Sequence, residues 1–174
     1  MSLPFDKTTF AVLTLVYAHI DGKMLMLERA ATKAFLPGWV VGLGGKVEPG
    51  EDVTEAAKRE FEEESGLTAK SIQLRGSYTF ITTEPGNRSG VIYIYVVNDI
   101  EGTFNPNSPD GTLHWLTPQQ IAEHPKIMPD HKVWLAELVA NDNHFACIGE
   151  WHNSLTPGEW ADSRGYFESR LKAA

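Results

Sequence analysis

The sequence predicts an α/β fold, a mixed β-sheet flanked by helices, with a glycine loop running into an acidic helix near its middle. Three observations predict it. Runs rich in β-branched and aromatic residues recur between Gly/Pro turns, as at Thr9–Ile20 and around Tyr78, Phe80 and Ile81. Helical stretches with recognisable caps stand among them, beginning at Asp52, Thr117 and Met128. Val91 to Val97 is apolar throughout rather than alternating, as expected of a central strand buried on both faces.

Taken in order, Met1 to Thr8 is a lead-in and Thr9 to Ile20 a strand that ends at Asp21-Gly22-Lys23, a turn of hairpin type. Met24 to Glu28 returns as its partner, with Met24 and Met26 as packing residues. Arg29 to Gly38 is a loop closed by the Pro37-Gly38 turn. Trp39 to Leu43 is a short strand that leads into Gly44-Gly45, where the absence of side chains lets backbone approach a ligand. Asp52 followed by Glu55 resembles a capping box, which places the helix N-cap at Asp52, and Gly66 tolerates the positive φ that ends the helix at about Ser65. Lys70 to Thr83 makes one or two strands, Glu84 to Gly90 a loop, and Ile100 to Gly111 a loop-rich stretch punctuated by Pro106 and Pro109. After the short Leu113–Leu116 strand, Thr117-Pro118 opens a helix that Pro125 keeps short. A further helix runs from Met128-Pro129-Asp130 to about Ala140, with Val133, Trp134, Leu135, Leu138 and Val139 on its apolar side. Phe145 to Trp151 is a late strand. Thr156 to Glu159 caps a tail helix carrying Trp160, Tyr166, Phe167 and Leu171, which closes a pocket, packs on the body or packs on a second subunit.

The 174 residues suit a single domain, 1–174, with 153–174 as that tail. The balance of 15 basic against 23 acidic residues, net −8, argues against a nucleic-acid or anionic-membrane surface. It leaves a phosphate substrate open, because a bound cation reverses the local sign. Cys147 is the only cysteine, so no intrachain disulfide forms, and a reducing, cytoplasmic setting is expected. Phe10 to Ile20 is too short to span a bilayer, and no basic stretch precedes it as in a signal peptide. The chain is expected to be a monomer or a homodimer. His19 and His114 in strands and His124 at the surface have no nucleophile or ligand partner in the pattern.

The chemistry lies on the acidic helix. At about 100° per residue, Val53, Ala56, Ala57 and Phe61 form an apolar stripe, while Glu55, Lys58 and Glu62 face solvent. Glu60 and Glu64 fall inside the stripe and Glu63 flanks it, an i, i+3, i+4 set of neighbours. Two carboxylates about 5–6 Å apart repel by roughly 3 kcal/mol at an effective dielectric near 20. That is a large share of a total stability of about 5–15 kcal/mol, so a partly buried acid cluster of this kind needs protons or cations. Hard divalent cations with oxygen ligands fit, and Mg²⁺ suits sites that also hold phosphates.

The segment Gly45 to Leu67 resembles the Nudix box at every defining position. Gly45 is followed after five residues by Glu51 and after seven more by Arg59-Glu60; Phe61, Glu63-Glu64 and Gly66-Leu67 complete the pattern. The one departure is Phe61, where the family more often carries an aliphatic residue. The resemblance implies an α/β/α sandwich with the box as a loop–helix–loop, and Mg²⁺-dependent (or Mn²⁺-dependent) hydrolysis of a diphosphate bond in a nucleoside diphosphate derivative. It implies metal binding by Glu60, Glu63, Glu64 and the Gly44 carbonyl, with Arg59 orienting the carboxylates and backbone around it. Glu51 then helps hold a metal or the fold of the loop. Related enzymes carry a further acid, commonly in a Glu-Gly pair, on a loop that reaches the metals. Asp110-Gly111 is the matching pair here, one methylene shorter, and a plain Asp-Gly turn reads equally from it.

The substrate is a nucleotide, and its identity depends on residues outside the box. Arg29 and Lys33 stand just before the glycine loop, as phosphate contacts or as surface cations, and Lys46 meets a phosphate or pairs with a glutamate. Pro129-Asp130 followed by Trp134 resembles the base-recognition segment of oxidised-purine triphosphatases of this superfamily, with Asp130 bonding a purine edge and Trp134 stacking on it. Helix-dipole charge on Asp130 and a core position for Trp134 read equally well. Val40-Val41 stands where those enzymes can place a base-reading Asn. The markers of the ADP-ribose, dinucleoside-polyphosphate and NADH sub-families are absent or displaced. The expected reaction is therefore a nucleoside triphosphate, an oxidised purine among the options, to monophosphate and pyrophosphate. The alternatives are an ADP-ribose, nucleotide-sugar or dinucleotide pyrophosphatase, or a nucleotide-sensing domain without turnover. Cys147 lies far after the box, unlike the catalytic cysteine of the related isopentenyl diphosphate isomerases.

Overall fold

A computed structural model describes residues 10–33, 36–81 and 89–150. The predicted tail helix, the ends of the strands predicted to reach Thr83 and Trp151, and most of the 84–90 loop lie outside them.

β1 (Ala11–Ile20) and β2 (Lys23–Arg29) form the predicted hairpin, with Ile20 opposite Lys23. Asp21 and Gly22 both take positive φ, 50° and 72°, the backbone that lets a two-residue turn follow the strand twist. β3 is only Val40–Val41, shorter than the predicted Trp39–Leu43. The helix α1 (Val53–Ser65) starts at Asp52, whose side chain accepts from the amides of Thr54 and Glu55, and ends at Gly66 in the left-handed region. Gly66 turns the chain straight into β4 (Leu67–Ile81), a single strand that begins earlier than the predicted Lys70. β5 (Gly90–Gly102) also outruns its predicted end at Val97, because β4 pairs with it as far as Gly102. β6 (Asn107–Ser108) and β7 (Gly111–Leu116) make a small hairpin. α2 (Pro118–Glu123) has the full capping box between Thr117 and Gln120, and α3 (Pro129–Ala140) and β8 (Phe145–Glu150) follow as expected.

The sheet is mixed, in the order β6-β7-β2-β1-β5-β4-β8, with β3 beside β2. β1 and β5 run parallel at its centre, Ala11 opposite Gly90 and Ala18 opposite Val97. Neighbouring side chains on these strands alternate between the two faces. Val16, Ala18, Tyr95 and Val97 join Ala57 and Phe61 of α1 in one core; Tyr17, Ile94 and Val96 join Ile121, Trp134, Leu135 and Leu138 in the other. Met24 and Met26 are buried in the second core, as packing residues should be. A bulge between Leu74 and Gly76 turns Arg75 inward, where it is almost fully buried. Its guanidinium donates to Asp142 Oδ1 at 3.1 Å and to the Asn141 carbonyl, clamping the turn between α3 and β8.

His131 of α3 is buried against the Trp134 ring, centroids 4.3 Å apart. Burial alone pushes its pKa down to about 3. Between about pH 3 and 6.5 the unfolded chain therefore binds a proton at His131 that the folded protein refuses, so stability is lost as pH falls through that window. His131→Phe removes this term. From pH 6.5 to 5 the variant should gain about 2 kcal/mol relative to the parent, at about 1.4 kcal/mol per pH unit for one proton. Parallel urea titrations at the two pH values measure it, and parallel loss in both proteins would contradict it.

Candidate active site

The site is built where the 42–47 segment passes between β1 and α1. Beyond β3 the chain runs antiparallel to β1: Val16 and Leu43 exchange backbone hydrogen bonds of 2.6 and 3.1 Å, Thr14 N donates to Gly45 O at 2.9 Å, and Val47 N donates to Val12 O at 3.0 Å. The Leu43 amide and the carbonyls of Leu43 and Gly45 thus turn toward β1, while the Gly44 amide turns the other way. Gly44 N donates to Glu64 Oε2 at 2.8 Å. Its φ of 137° belongs to glycine, and a Cβ there would lie 2.2 Å from Thr14 O. At Gly45 a Cβ would lie 2.6–2.7 Å from the Glu60 carboxylate, so the bare backbone is what lets that side chain lie across the loop.

The helix faces divide as the projection requires. Ala56, Ala57 and Phe61 are fully buried, and the two small alanines let α1 pack closely on the sheet. Glu55 and Glu62 are exposed. Glu64 is 6% exposed and the Glu60 side chain 18%, whereas Glu63 is 59% exposed and sits at the rim. Arg59 connects them. Its Nε and Nη2 donate to the two oxygens of Glu51 at 2.8 and 3.0 Å, Nη1 to Glu60 Oε1 at 2.8 Å and Glu63 Oε2 at 3.4 Å, and Nη2 also to the Lys46 carbonyl at 3.3 Å. This is the orienting arrangement the sequence suggests for Arg59, and it depends on the planar guanidinium fork. Glu51 spends its carboxylate on Arg59 and on the Glu48 amide, at 3.0 Å.

Two glutamates of one segment are driven in opposite directions. The hydrogen bond from Arg59, with that from Glu48 N, holds the Glu51 carboxyl down to about 2. Burial pushes the Glu64 carboxyl up to about 8; the Gly44 amide and Arg29 oppose this, and the charges of Asp110 and Glu60 add to it. The same carboxylates raise the Arg59 guanidinium above its ordinary value.

The remaining sequence candidates are placed unequally. Arg29, at the end of β2, and Asp110, in the β6–β7 turn, both lie within electrostatic reach of Glu64. Asp110 is ion-paired with Lys33, and its carbonyl accepts from Ala30 N at 2.8 Å. The turn reading of Asp110-Gly111 and a place beside the acid cluster therefore hold together. The Lys46 side chain points to solvent. Asp130 lies in the first turn of α3, and its side chain falls outside the described part. Trp134 takes the core position, one of the two readings the sequence left open: it is 1% exposed, packed between His131 and Tyr78, and its indole N–H donates to the Tyr17 hydroxyl at 3.1 Å. A ring covered in this way has no free face on which to stack a base. Tyr17 itself gave no sequence signal, since only the strand register shows what it touches.

The carboxylates at this end of α1, those of Glu60, Glu63 and Glu64, offer oxygen ligands of the kind a hard divalent cation takes. The Glu64 carboxyl is lifted mainly by its burial, and the neighbouring charges of Asp110 and Glu60 add to the cost of ionising it. Among the described residues no three His, Cys, Asp or Glu side chains converge into a ready cage. Mg²⁺ does not require one, because it ordinarily takes one or two carboxylates and keeps waters or substrate phosphates as its other ligands.

Comparison with known proteins decides the family. The NUDIX domain model matches residues 7–138. The chain belongs to the NUDIX family. It is 31% identical over 107 residues to the uncharacterized Nudix hydrolase YvcI of Bacillus subtilis, a match covering 60% of this chain and 65% of that protein. The chain thus spans just under two thirds of the length of that relative. The crystal structure of a mutator MutT protein from Bacillus halodurans superposes with a TM-score of 0.72 at 23% identity, over 84% of this chain and 94% of that one. A MutT NUDIX hydrolase from Burkholderia pseudomallei gives 0.57 at 26% identity, over 64% and 85%. The sheet and its flanking helices are thus the α/β Nudix fold. Among the described residues no helix is long and apolar enough to cross a membrane.

Arg59→Lys keeps the charge of the NUDIX box but loses the fork that joins Glu51 to Glu60. Divalent-ion affinity should fall by about 10–100-fold, as for other residues that orient metal ligands. Calorimetric titration with Mn²⁺ measures this, and an unchanged affinity would remove Arg59 from the assembly of the site.

Proposed function

We propose that this NUDIX protein is a Mg²⁺-dependent pyrophosphohydrolase that converts a nucleoside triphosphate, oxidised purines included, to monophosphate and pyrophosphate. One observation carries the reading: Glu64 is buried beside Glu60 and bonded to the Gly44 amide, in a cluster whose charge is incompletely balanced by the protein. A binding domain without turnover has no chemical need for that arrangement, because paired buried acids cost stability.

Gly44, Glu60, Glu63 and Glu64 would hold the ion, with Asp110 close by. When bound, the cation supplies neutralisation of phosphate charge and a more acidic water. Everything else is the work of the chain. Arg59 fixes Glu60 in one orientation by a 2.8 Å bond, so its remaining oxygen is pre-aimed. Burial lifts the Glu64 carboxyl to about 8 in the cation-free protein, so a bound cation would favour its ionised form, the form able to hold the ion or accept a proton. Arg29, within electrostatic reach of Glu64, supplies positive charge beside the acid cluster for a polyphosphate. Lys33 is ion-paired with Asp110, which keeps its ammonium near the acid cluster as a further candidate phosphate contact. The base is read outside the box. Asp130 remains the candidate for that contact, and Trp134 is withdrawn from it.

The test is turnover of a nucleotide panel with Mg²⁺, with products identified by chromatography. The panel contains ordinary and oxidised nucleoside triphosphates, ADP-ribose and dinucleoside polyphosphates. Triphosphates should yield pyrophosphate, and Glu60→Gln and Glu64→Gln should each lose at least about 100-fold in kcat while remaining folded, the scale of losing a general base or a charge-stabilising group. Full activity in both variants would refute the assignment of the site.

A further inference from the structure

Gly42 lies against the ring of Tyr17. A Cβ at Gly42 would stand 2.7 Å from both Cε1 and Cζ of Tyr17 and 3.0 Å from its hydroxyl oxygen. The register explains the contact. Leu43 bridges Val16 and Lys46 bridges Leu13, so the same antiparallel alignment sets Gly42 opposite Tyr17 and Gly44 opposite Leu15. The aromatic ring fills the space a side chain would take, and it fixes how near the segment can come to β1.

Tyr17 is itself held. It is fully buried, and its hydroxyl receives the Trp134 indole N–H at 3.1 Å. Trp134 is wedged between Tyr78, with ring centroids 5.1 Å apart, and His131, at 4.3 Å. A continuous line of packed groups therefore runs from α3 through Trp134 and Tyr17 to Gly42. Two residues on, Gly44 donates to Glu64. The line starts in the core on one face of the sheet and ends at the acid cluster on the other. Close-packed interiors transmit a displacement over such contacts, because no void absorbs it.

We propose that Tyr17, held by Trp134, is a positioning residue that sets the glycine segment at the height where Gly44 meets Glu64. Through that contact it governs divalent-ion binding. Neither side chain touches the ion or the substrate. The proposal rests on the functional reading above only for its last step, from the Gly44–Glu64 contact to ion affinity.

Three variants test it: Tyr17→Phe removes the acceptor, Trp134→Phe removes the donor, and the double variant removes both. Amide hydrogen exchange at Gly44 in ion-free protein is the first readout, and Mn²⁺ affinity by calorimetry the second. Each single variant should speed Gly44 exchange by about tenfold, the scale of one lost hydrogen bond of ordinary strength, while β7 amides keep their protection. Mn²⁺ affinity should fall several-fold, and the double variant should be no worse than the more affected single one. Unchanged Gly44 exchange, or a uniform rise across the sheet, would overturn the proposal. If a tyrosine or tryptophan variant does not fold, Gly42→Ala pushes the same contact from the other side and must give the same local signature. Should the parent protein bind no Mn²⁺ and turn over no nucleotide, the functional reading fails, while Gly44 exchange still decides the role of Tyr17.

Discussion

A carboxylate removed from water and met by a backbone amide joins the two halves of this site. Glu64 belongs to α1 and Gly44 to the segment beside β1, and their 2.8 Å bond exists only because each is delivered by other constraints. The segment must exchange backbone hydrogen bonds with β1 at Leu43 and Gly45 O and still turn the Gly44 amide away, which the positive φ of Gly44 allows. The helix must come close, which Ala56 and Ala57 allow and Phe61 anchors. A larger side chain at Gly44 would strike the Thr14 carbonyl, and one at Gly45 would strike Glu60. Two adjacent glycines thus do different jobs, the first for backbone conformation and the second for clearance.

Electrostatics then separates side chains that composition treats as equal. Glu51 and Glu64 are both glutamates of one 23-residue pattern, yet one carboxyl is held at about 2 and the other at about 8. The difference is a guanidinium for Glu51 and burial for Glu64. Arg59 is the pivot: it satisfies Glu51 on one side and steadies Glu60 on the other, and so relieves part of the repulsion among the acids of α1. The overall charge of −8 gives no hint of this distribution.

Local chemistry was legible in the sequence where a residue's partner lies a turn away. The cap at Asp52, the stop at Gly66, the cap at Thr117 and the inward placing of Glu60 and Glu64 follow from local sequence alone, and the structure has them. What spacing did not reveal depends on partners far along the chain. β5 runs on to Gly102 because β4 is there to pair with it. The strand expected from Trp39 stops at Val41 because the glycines that follow pair irregularly with β1. Trp134 was open to two readings because an indole in an amphipathic helix suits a ligand and a core equally; the Tyr17 hydroxyl, 117 positions away, decides it. Asp110 likewise read as a turn or as a neighbour of the acids, and tertiary contact makes it both.

The parallel pairing of β1 with β5 carries a consequence for the order in which the molecule is assembled. The glycine segment and α1 are made one after the other, but the strand that supports them is locked in place only when Gly90 and its successors arrive opposite Ala11. Pairings of such long range pay their loop-closure entropy before any contact rewards it, so they form late. Until then the acids of α1 are on an isolated helix in water, where Glu64 is an ordinary exposed carboxylate. The gathering of these acids around the glycine segment is therefore a property of the finished sheet, and a chain stalled before β5 docks would carry the whole motif without its arrangement.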